Sequence, residues 1–338
     1  MRINKAGIAA TIVAATLAGS ASAQDCPAGG AAGLMALEVD GYTVLGHVPE
    51  SAVGQRVPLV INLHPTGGTG FRTLNASKHV ADEKGFVMIA PTGVIGPVFM
   101  GWTWNVPGVP TFGGDNYPAE DARNDVEFIA KAIDAAETAA CIDPARVYVM
   151  GYSGGGRMAS ALACSLADRI ASVVPIGGIR FSKASDTELG LPHAVECTPA
   201  RPVPMQAIHG HWDATNPWFD EALGDTPFKD PAKDNETIVA NAPRQGSSWS
   251  YSGQTALQRW VENNGCDPEP QVKELAKGVE ERDYQNCKDD AEVSLVFFDG
   301  LGHAIPGYEE PWSPGQADSP LDGYGLAWDL MQDDRLPQ

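Results

Sequence analysis

Two periodicities run through the chain. Arg56–Leu63 (RVPLVINL), Phe86–Ala90 (FVMIA), Arg146–Gly151 (RVYVMG), Ala171–Ile176, Val203–His209 and Val293–Phe298 (VSLVFF) are short apolar runs, most of them rich in β-branched residues. Each ends at, or within two residues of, a glycine or proline, the pattern of a buried strand entering a turn. Between them lie stretches with a helical repeat. Asp121–Cys141 carries Val126, Ile129, Ile133 and Ala136 on one face with acidic residues early in the run, and Arg157–Leu166 and Gln254–Asn263 follow the same rule. Strands alternating with helices predict an α/β fold whose mostly parallel sheet is covered on both faces. No internal repeat or low-complexity linker divides the chain, so a single domain is expected over 24–338. The segment 218–252 is polar and without period, which predicts a lid or insertion, with a surface excursion of no role as the alternative.

The first residues follow a different logic. Arg2 and Lys5 precede a modest apolar run, Ile8–Ala18, and Ala21-Ser22-Ala23 supplies a small-residue cleavage signal. This is the pattern of an export signal over 1–23, with Gln24 as the first mature residue. The run is short for a bilayer span and no later segment approaches one, so a secreted protein, extracellular or periplasmic, without membrane partners is expected.

Charge narrows the partners. The 338 residues hold 43 Asp+Glu against 23 Lys+Arg, a formal net charge of −20. Nucleic acid is excluded as a partner, because phosphate attraction requires stripes of Lys and Arg. The six cysteines are even in number, and none forms a CxxC pair. In an oxidising compartment they predict disulfides. Neighbourhood in the chain suggests Cys164–Cys197 and Cys266–Cys287, leaving Cys26–Cys141 by remainder.

The chemistry concentrates at Gly151-Tyr152-Ser153-Gly154-Gly155, a G-x-S-x-G placed between a predicted strand and a predicted helix. Such a turn lifts the serine hydroxyl out of the sheet and sets it at a helix N-terminus, where the amides favour developing negative charge. A serine needs a base, and the base a carboxylate. His303 follows the last strand in Gly300-Leu301-Gly302-His303, whereas His193 has no strand before it. Asp213 lies beyond the strand Val203–His209, with Asp220 as the alternative acid. Ser153, Asp213 and His303 are therefore the expected catalytic residues. The expected oxyanion hole is the amide of Gly154 with that of Thr66, since Pro65 in His64-Pro65-Thr66 has no N–H. Trp102, Trp104 and Trp212 are candidate cleft residues, Trp104 and Trp102 having core-capping as the alternative, and Trp218 also flanks the acid. His209-Gly210-His211 offers an H-x-H pair for zinc, but the sequence places no clear third ligand nearby, so no metal and no cofactor are expected.

The quoted segments carry a family resemblance. DPARVYVMGYSGGGRMASALAC (143–164), PLVINLH (58–64), ADEKGFVMIAPTG (81–93), NDVEFI (124–129), PVPMQAIHGHWD (202–213), WVENNGC (260–266) and the late GLGH-x-x-PG (300–307) resemble the secreted polyhydroxybutyrate depolymerase-type esterases, a family that includes feruloyl and acetyl-xylan esterases. The resemblance spans about Gly41–Gly307. It implies an α/β-hydrolase fold, with Ser153 as nucleophile, Asp213 as acid and His303 as base. Two positions depart from the pattern: Pro65 replaces the glycine that usually follows the histidine, and Ile305 replaces a tryptophan, which marks Ile305 as a candidate substrate contact. No separate polymer-binding domain is recognised, which directs expectation toward oligomers or small esters. The expected activity is ester hydrolysis, on hydroxyalkanoate polyesters or oligoesters, or alternatively on feruloyl or acetyl-xylan esters. The rivals from other classes are an inactive secreted binding protein and a metal hydrolase built on His209 and His211.

Overall fold

The computed structural model describes residues 26, 31–99, 101–111, 117–219, 228–229, 237–238, 251–308, 319 and 321–337. The expected export signal, Asp220 and most of 218–252 lie outside the described residues. The strands are β1 (Gly33–Val39), β2 (Tyr42–Val48), β3 (Val57–Leu63), β4 (Val87–Ala90), β5 (Ile95–Val98), β6 (Gly101–Thr103), β7 (Ile142–Tyr152), β8 (Ser172–Ile176), β9 (Met205–Gly210), β10 (Phe228–Lys229), β11 (Thr237–Ile238), β12 (Gln271–Ala276), β13 (Val279–Tyr284) and β14 (Val293–Phe298). The helices are α1 (Gly70–Lys84), α2 (Asp125–Ala139), α3 (Gly154–Ser165), α4 (Gly253–Asn264) and α5 (Gly323–Met331).

Ten strands form one sheet in the order β1-β2-β4-β3-β7-β8-β9-β14-β13-β12. The six from β4 to β14 run parallel, and antiparallel strands extend the sheet at both edges. Alternation along the central strands feeds two cores. Leu59, Ile61 and Leu63 of β3, with Val147 and Val149 of β7, pack with Phe128 and Ile129 of α2, Leu162 of α3 and Trp260 of α4. Val60, Tyr148 and Met150 face the other way, toward Leu74 of α1 and Trp328 of α5. The parallel strands are buried on both faces, which is why their sequences read as continuous apolar runs. The chain has the α/β-hydrolase fold.

Helix α2 begins at Asp125 rather than Asp121 because the Asn124 side chain accepts from the amides of Val126 and Glu127. Helix α3 begins earlier than its apolar period, directly after Ser153. Three disulfides join Cys26–Cys141, Cys164–Cys197 and Cys266–Cys287. Among the described residues no helix is long and apolar enough to cross a membrane.

Candidate active site

The parallel strands deliver their C-terminal ends to one edge of the sheet, where open α/β sheets build their sites. Ser153 lies there, between β7 and α3, at φ 54° and ψ −114°. A side-chain-bearing residue at that φ is strained and persists only where its surroundings enforce it. The flanking glycines show how it is enforced. A Cβ on Gly155 would sit 2.1 Å from the Leu63 carbonyl oxygen, and one on Gly151 2.5 Å from the Gly155 carbonyl oxygen. At Gly155 the end of strand β3 and the first turn of α3 meet backbone to backbone. The Ser153 amide donates to the Ile176 carbonyl at 2.9 Å, tying the turn to β8.

His303 reaches the serine from the loop after β14. Its Nε2 is 2.9 Å from Ser153 Oγ, and its Nδ1 is 2.8 Å from Asp213 Oδ2. All three residues are buried. The other oxygen of Asp213, Oδ1, accepts from the amides of Thr215 at 2.9 Å and Asn216 at 2.7 Å. Burial works to raise the Asp213 pKa, but His303, His209 and the Asn216 amide together hold it below the usual carboxylate value. The acid is therefore a fixed anion facing the imidazole. Tyr152 donates its hydroxyl to the His303 carbonyl at 2.7 Å, and Asn216 Nδ2 donates to the Gly177 carbonyl, so the loops carrying His303 and Asp213 are each anchored.

The loop after β3 closes the other side. His64 is fully buried, and burial pushes its pKa down to about 4. Its neutral ring has one defined tautomer: Nδ1–H donates to the Pro65 carbonyl at 2.8 Å, and Nε2 accepts from the Gly93 amide at 3.0 Å. The Pro65 carbonyl also accepts from the Gly68 amide at 2.8 Å. Thr66 is thus held in a pinned turn, and a Cβ on Gly154 would lie 2.9 Å from the Thr66 nitrogen and 2.4 Å from its Oγ1. Arg157, also buried, donates from Nη2 to Thr66 Oγ1 at 3.3 Å. Burial and the nearby Arg180 lower its pKa to about 10, against the pull of Asp213.

Ser153, His303, Asp213, Gly154 and Thr66 are therefore brought together. The remaining sequence candidates divide. Trp102 keeps 38% of its surface exposed and bridges Gly68 through its backbone. Trp104 corrects the expectation of a cleft wall: its ring is buried, stacks on His64 at 4.5 Å and donates Nε1–H to the His64 carbonyl. Ile305 is likewise 1% exposed and belongs to the core with α5, so its placement does not suit direct substrate contact. Trp212 is buried and stacked on His211 at 4.2 Å. Trp218 is buried against His209 at 4.9 Å. His193 is exposed and packs on Tyr117, while His303 is the histidine beside Ser153.

His209 and His211 do not share a ligand position. His209 Nε2–H donates to the Asn216 carbonyl at 2.9 Å and lies 3.5 Å from Asp213 Oδ2, while His211 Nδ1 lies 3.1 Å from Asp299. Burial pushes the His209 pKa down, leaving it a neutral donor to the acid loop. Among the described residues no group of three His, Cys, Asp or Glu could hold a metal ion. The supporting roles of His64, Tyr152, Asn216 and Arg157 escaped sequence reasoning. Only His64 and Arg157 carried a signal, as polar residues interrupting the most apolar motifs.

No protein-family model matches the chain. It is 28% identical over 268 residues to feruloyl esterase B of Piromyces equi, covering 77% of this chain and 42% of that protein. The chain thus spans less than half the length of that relative. It is 28% identical over 290 residues to the putative esterase NocK of Nocardia uniformis subsp. tsuyamanensis, covering 81% of this chain and 74% of that protein. Among solved structures, an acetyl xylan esterase from Aspergillus awamori superposes with a TM-score of 0.52 at 15% identity, covering 81% of this chain and 94% of that one.

Proposed function

We propose that this chain, an α/β-hydrolase of the esterase family that includes the feruloyl esterases and the polyhydroxybutyrate depolymerases, hydrolyses carboxylic esters through an acyl-enzyme on Ser153. One observation carries the reading: an unbroken relay from Ser153 Oγ to His303 Nε2 at 2.9 Å and from His303 Nδ1 to Asp213 Oδ2 at 2.8 Å, set at a strained turn. As Oγ attacks the ester carbonyl, His303 Nε2 takes its proton, and the Asp213 carboxylate stabilises the imidazolium through Nδ1–H. The amides of Gly154 and Thr66 receive the oxyanion. His303 then protonates the leaving alcohol, and the carbonyl re-forms as the acyl-serine. Water, deprotonated by the same nitrogen, attacks the acyl group. Collapse of the second tetrahedral intermediate frees the acid and returns the proton to Ser153.

The substrate reading is a hydroxyalkanoate polyester or oligoester, with feruloyl or acetyl-xylan esters as the second reading. Phe99 and Trp102, 73% and 38% exposed, favour an apolar group next to the scissile bond, because Phe99 lies against Gly67 of the oxyanion loop. The similarity to a feruloyl esterase supports the second reading. Export fits three disulfides and the signal-like first 23 residues.

The test is one panel of initial rates on hydroxybutyrate oligomers, methyl ferulate, acetylated xylan and p-nitrophenyl butyrate, with Ser153→Ala alongside. Ser153→Ala is expected to lower kcat by about 10⁴-fold or more. Retention of the wild-type rate by that variant refutes the acyl-enzyme. Absence of turnover on every ester returns the chain to the inactive binding-protein reading, and loss of activity with a chelator favours the metal one.

A further inference from the structure

We propose that Arg157 is a positioning residue of the oxyanion site: its guanidinium occupies the Thr66 hydroxyl oxygen, so that this hydroxyl acts only as a donor, aimed at the oxygen anion of the tetrahedral intermediate. The proposal rests on the ester-hydrolase reading and adds a charge-backed hydroxyl to the two amides.

A threonine hydroxyl has one proton and two lone pairs. Thr66 Oγ1 lies 3.3 Å from Arg157 Nη2 and 3.1 Å from Thr103 Oγ1. A guanidinium has no acceptor, so Arg157 can only donate. Thr103 is 3% exposed, and among the described residues Thr66 Oγ1 is the hydrogen-bond partner of its hydroxyl. Buried hydroxyl protons find acceptors, which makes Thr103 the donor of that pair. Both lone pairs of Thr66 Oγ1 are then engaged, and its own proton must point elsewhere.

Gly154 fixes the place. Its absent Cβ would fall 2.4 Å from Thr66 Oγ1 and 2.9 Å from Thr66 N, so the hydroxyl oxygen and the amide nitrogen both lie against the residue that follows the nucleophile. Arg157 is placed by the same turn, because its backbone amide donates to the Ser153 carbonyl at 3.0 Å. Helix α3 thereby sets the serine and the cation in one register. A donor hydrogen-bonded to a cation is polarised, and such donors act most strongly where water is excluded.

The experiment is a double-mutant cycle of Arg157→Gln and Thr66→Val, read by kcat and KM on p-nitrophenyl butyrate and by inhibition with phenylboronic acid. The serine adduct of that acid carries the tetrahedral anion. In the wild-type background Arg157→Gln is expected to lower kcat roughly 10- to 100-fold, less than the ~10²–10³-fold of removing an oxyanion donor outright because the hydroxyl itself stays, with KM changed less than about threefold. Boronate affinity should fall by a similar factor. In the Thr66→Val background the same change should cost less than about threefold, because the residue it acts through is gone. A wild-type kcat in Arg157→Gln, or an equal loss in both backgrounds, overturns the proposal. Should Arg157→Gln fail to fold, Arg157→Met, which keeps the length of the stem and removes every donor, carries the same cycle with the same two overturning outcomes. Failure of the underlying reading is distinguishable: Ser153→Ala then stays active, whereas a Thr66→Val enzyme of wild-type kcat with Ser153→Ala dead overturns the hydroxyl's role alone.

Discussion

At the scale of single residues the site is a set of steric exclusions around one strained serine. Gly155 illustrates this best. A methyl group there would fall 2.1 Å from the Leu63 carbonyl oxygen, a backbone atom that moves only if β3 moves. Gly155→Ala is therefore expected to destabilise the fold by about 1–3 kcal/mol, the usual cost of overpacking, and to lower kcat by displacing Ser153 from the α3 N-terminus. Thermal unfolding together with active-site titration checks both; an unperturbed enzyme would mean β3 can yield. Asp213→Asn tests the relay, since an amide that presents its NH₂ to His303 Nδ1 favours the wrong tautomer. A fall of about 10⁴-fold in kcat with unchanged unfolding is expected. Gly155 and Asp213 were legible in the sequence because one belongs to a glycine-bounded turn after a strand and the other is a carboxylate in the loop after a strand. Trp104 and Ile305 were not, because a large apolar residue suits a cleft wall and a core equally well. Only tertiary packing puts the Trp104 ring behind His64 and Ile305 under α5.

At the scale of elements, what the sequence concealed follows from amphipathicity. Helix α1 went unread because it buries few large side chains, Leu74 and Val80 among them, in an otherwise polar run. Strands β12 and β13 went unread because QVKELA and VEERDY are mostly polar: β12 is the exposed edge strand, and β13, next to it, is only half-buried. The central parallel strands were legible because burial on both faces leaves no polar alternation to confuse them. The loop after β3 gives a prediction at this scale. His64 has its pKa lowered to about 4 from 6.5, and the lowered value is that of the folded state. Between those values the unfolded chain binds the extra proton, so this contribution is complete above about pH 6.5 and is lost as pH falls toward 4. At 1.36 kcal/mol per pKa unit the loss amounts to about 3 kcal/mol. Urea unfolding at pH 7 and pH 4 should show a smaller difference for His64→Gln than for the wild type, even where the variant is less stable throughout. An identical pH slope in the two proteins would mean that His64 is protonated without penalty.

At the scale of the molecule, one edge of the sheet carries the candidate site and the opposite edge carries an electrostatic cost. The fold class was legible from alternation alone, but the strand order was not, because the placement of β4 outside β3 and β7 is decided by packing between distant segments. At the N-terminal ends of β9 and β14, far along the strands from Asp213 and His303, Glu292 has its pKa raised to about 7 by burial, with Asp283 and Asp334 adding repulsion. Asp334 is itself raised to about 6, mainly by burial, while accepting from Gln206 Nε2 at 3.2 Å. In a chain of net charge −20 no general excess of cations relieves these carboxyls. The sign is opposite to that of His64. The folded protein holds the Glu292 proton more tightly than the unfolded chain, so stability falls as pH rises from about 4.5 to about 7. Glu292→Gln removes the charge and keeps the shape. It should therefore be more stable than the wild type at pH 8, by about 1–2 kcal/mol after allowing for partial exposure, and nearly equal to it at pH 4. Added salt should narrow the gap at pH 8 without closing it, because salt screens the repulsion from Asp283 and Asp334 but leaves the burial penalty. Because the substitution lies at the edge away from Ser153, kcat should not change. Urea unfolding of both proteins at the two pH values, at low and high salt, separates the two causes. A stability gain independent of pH would show that it came from packing or from the unfolded chain rather than from this carboxylate.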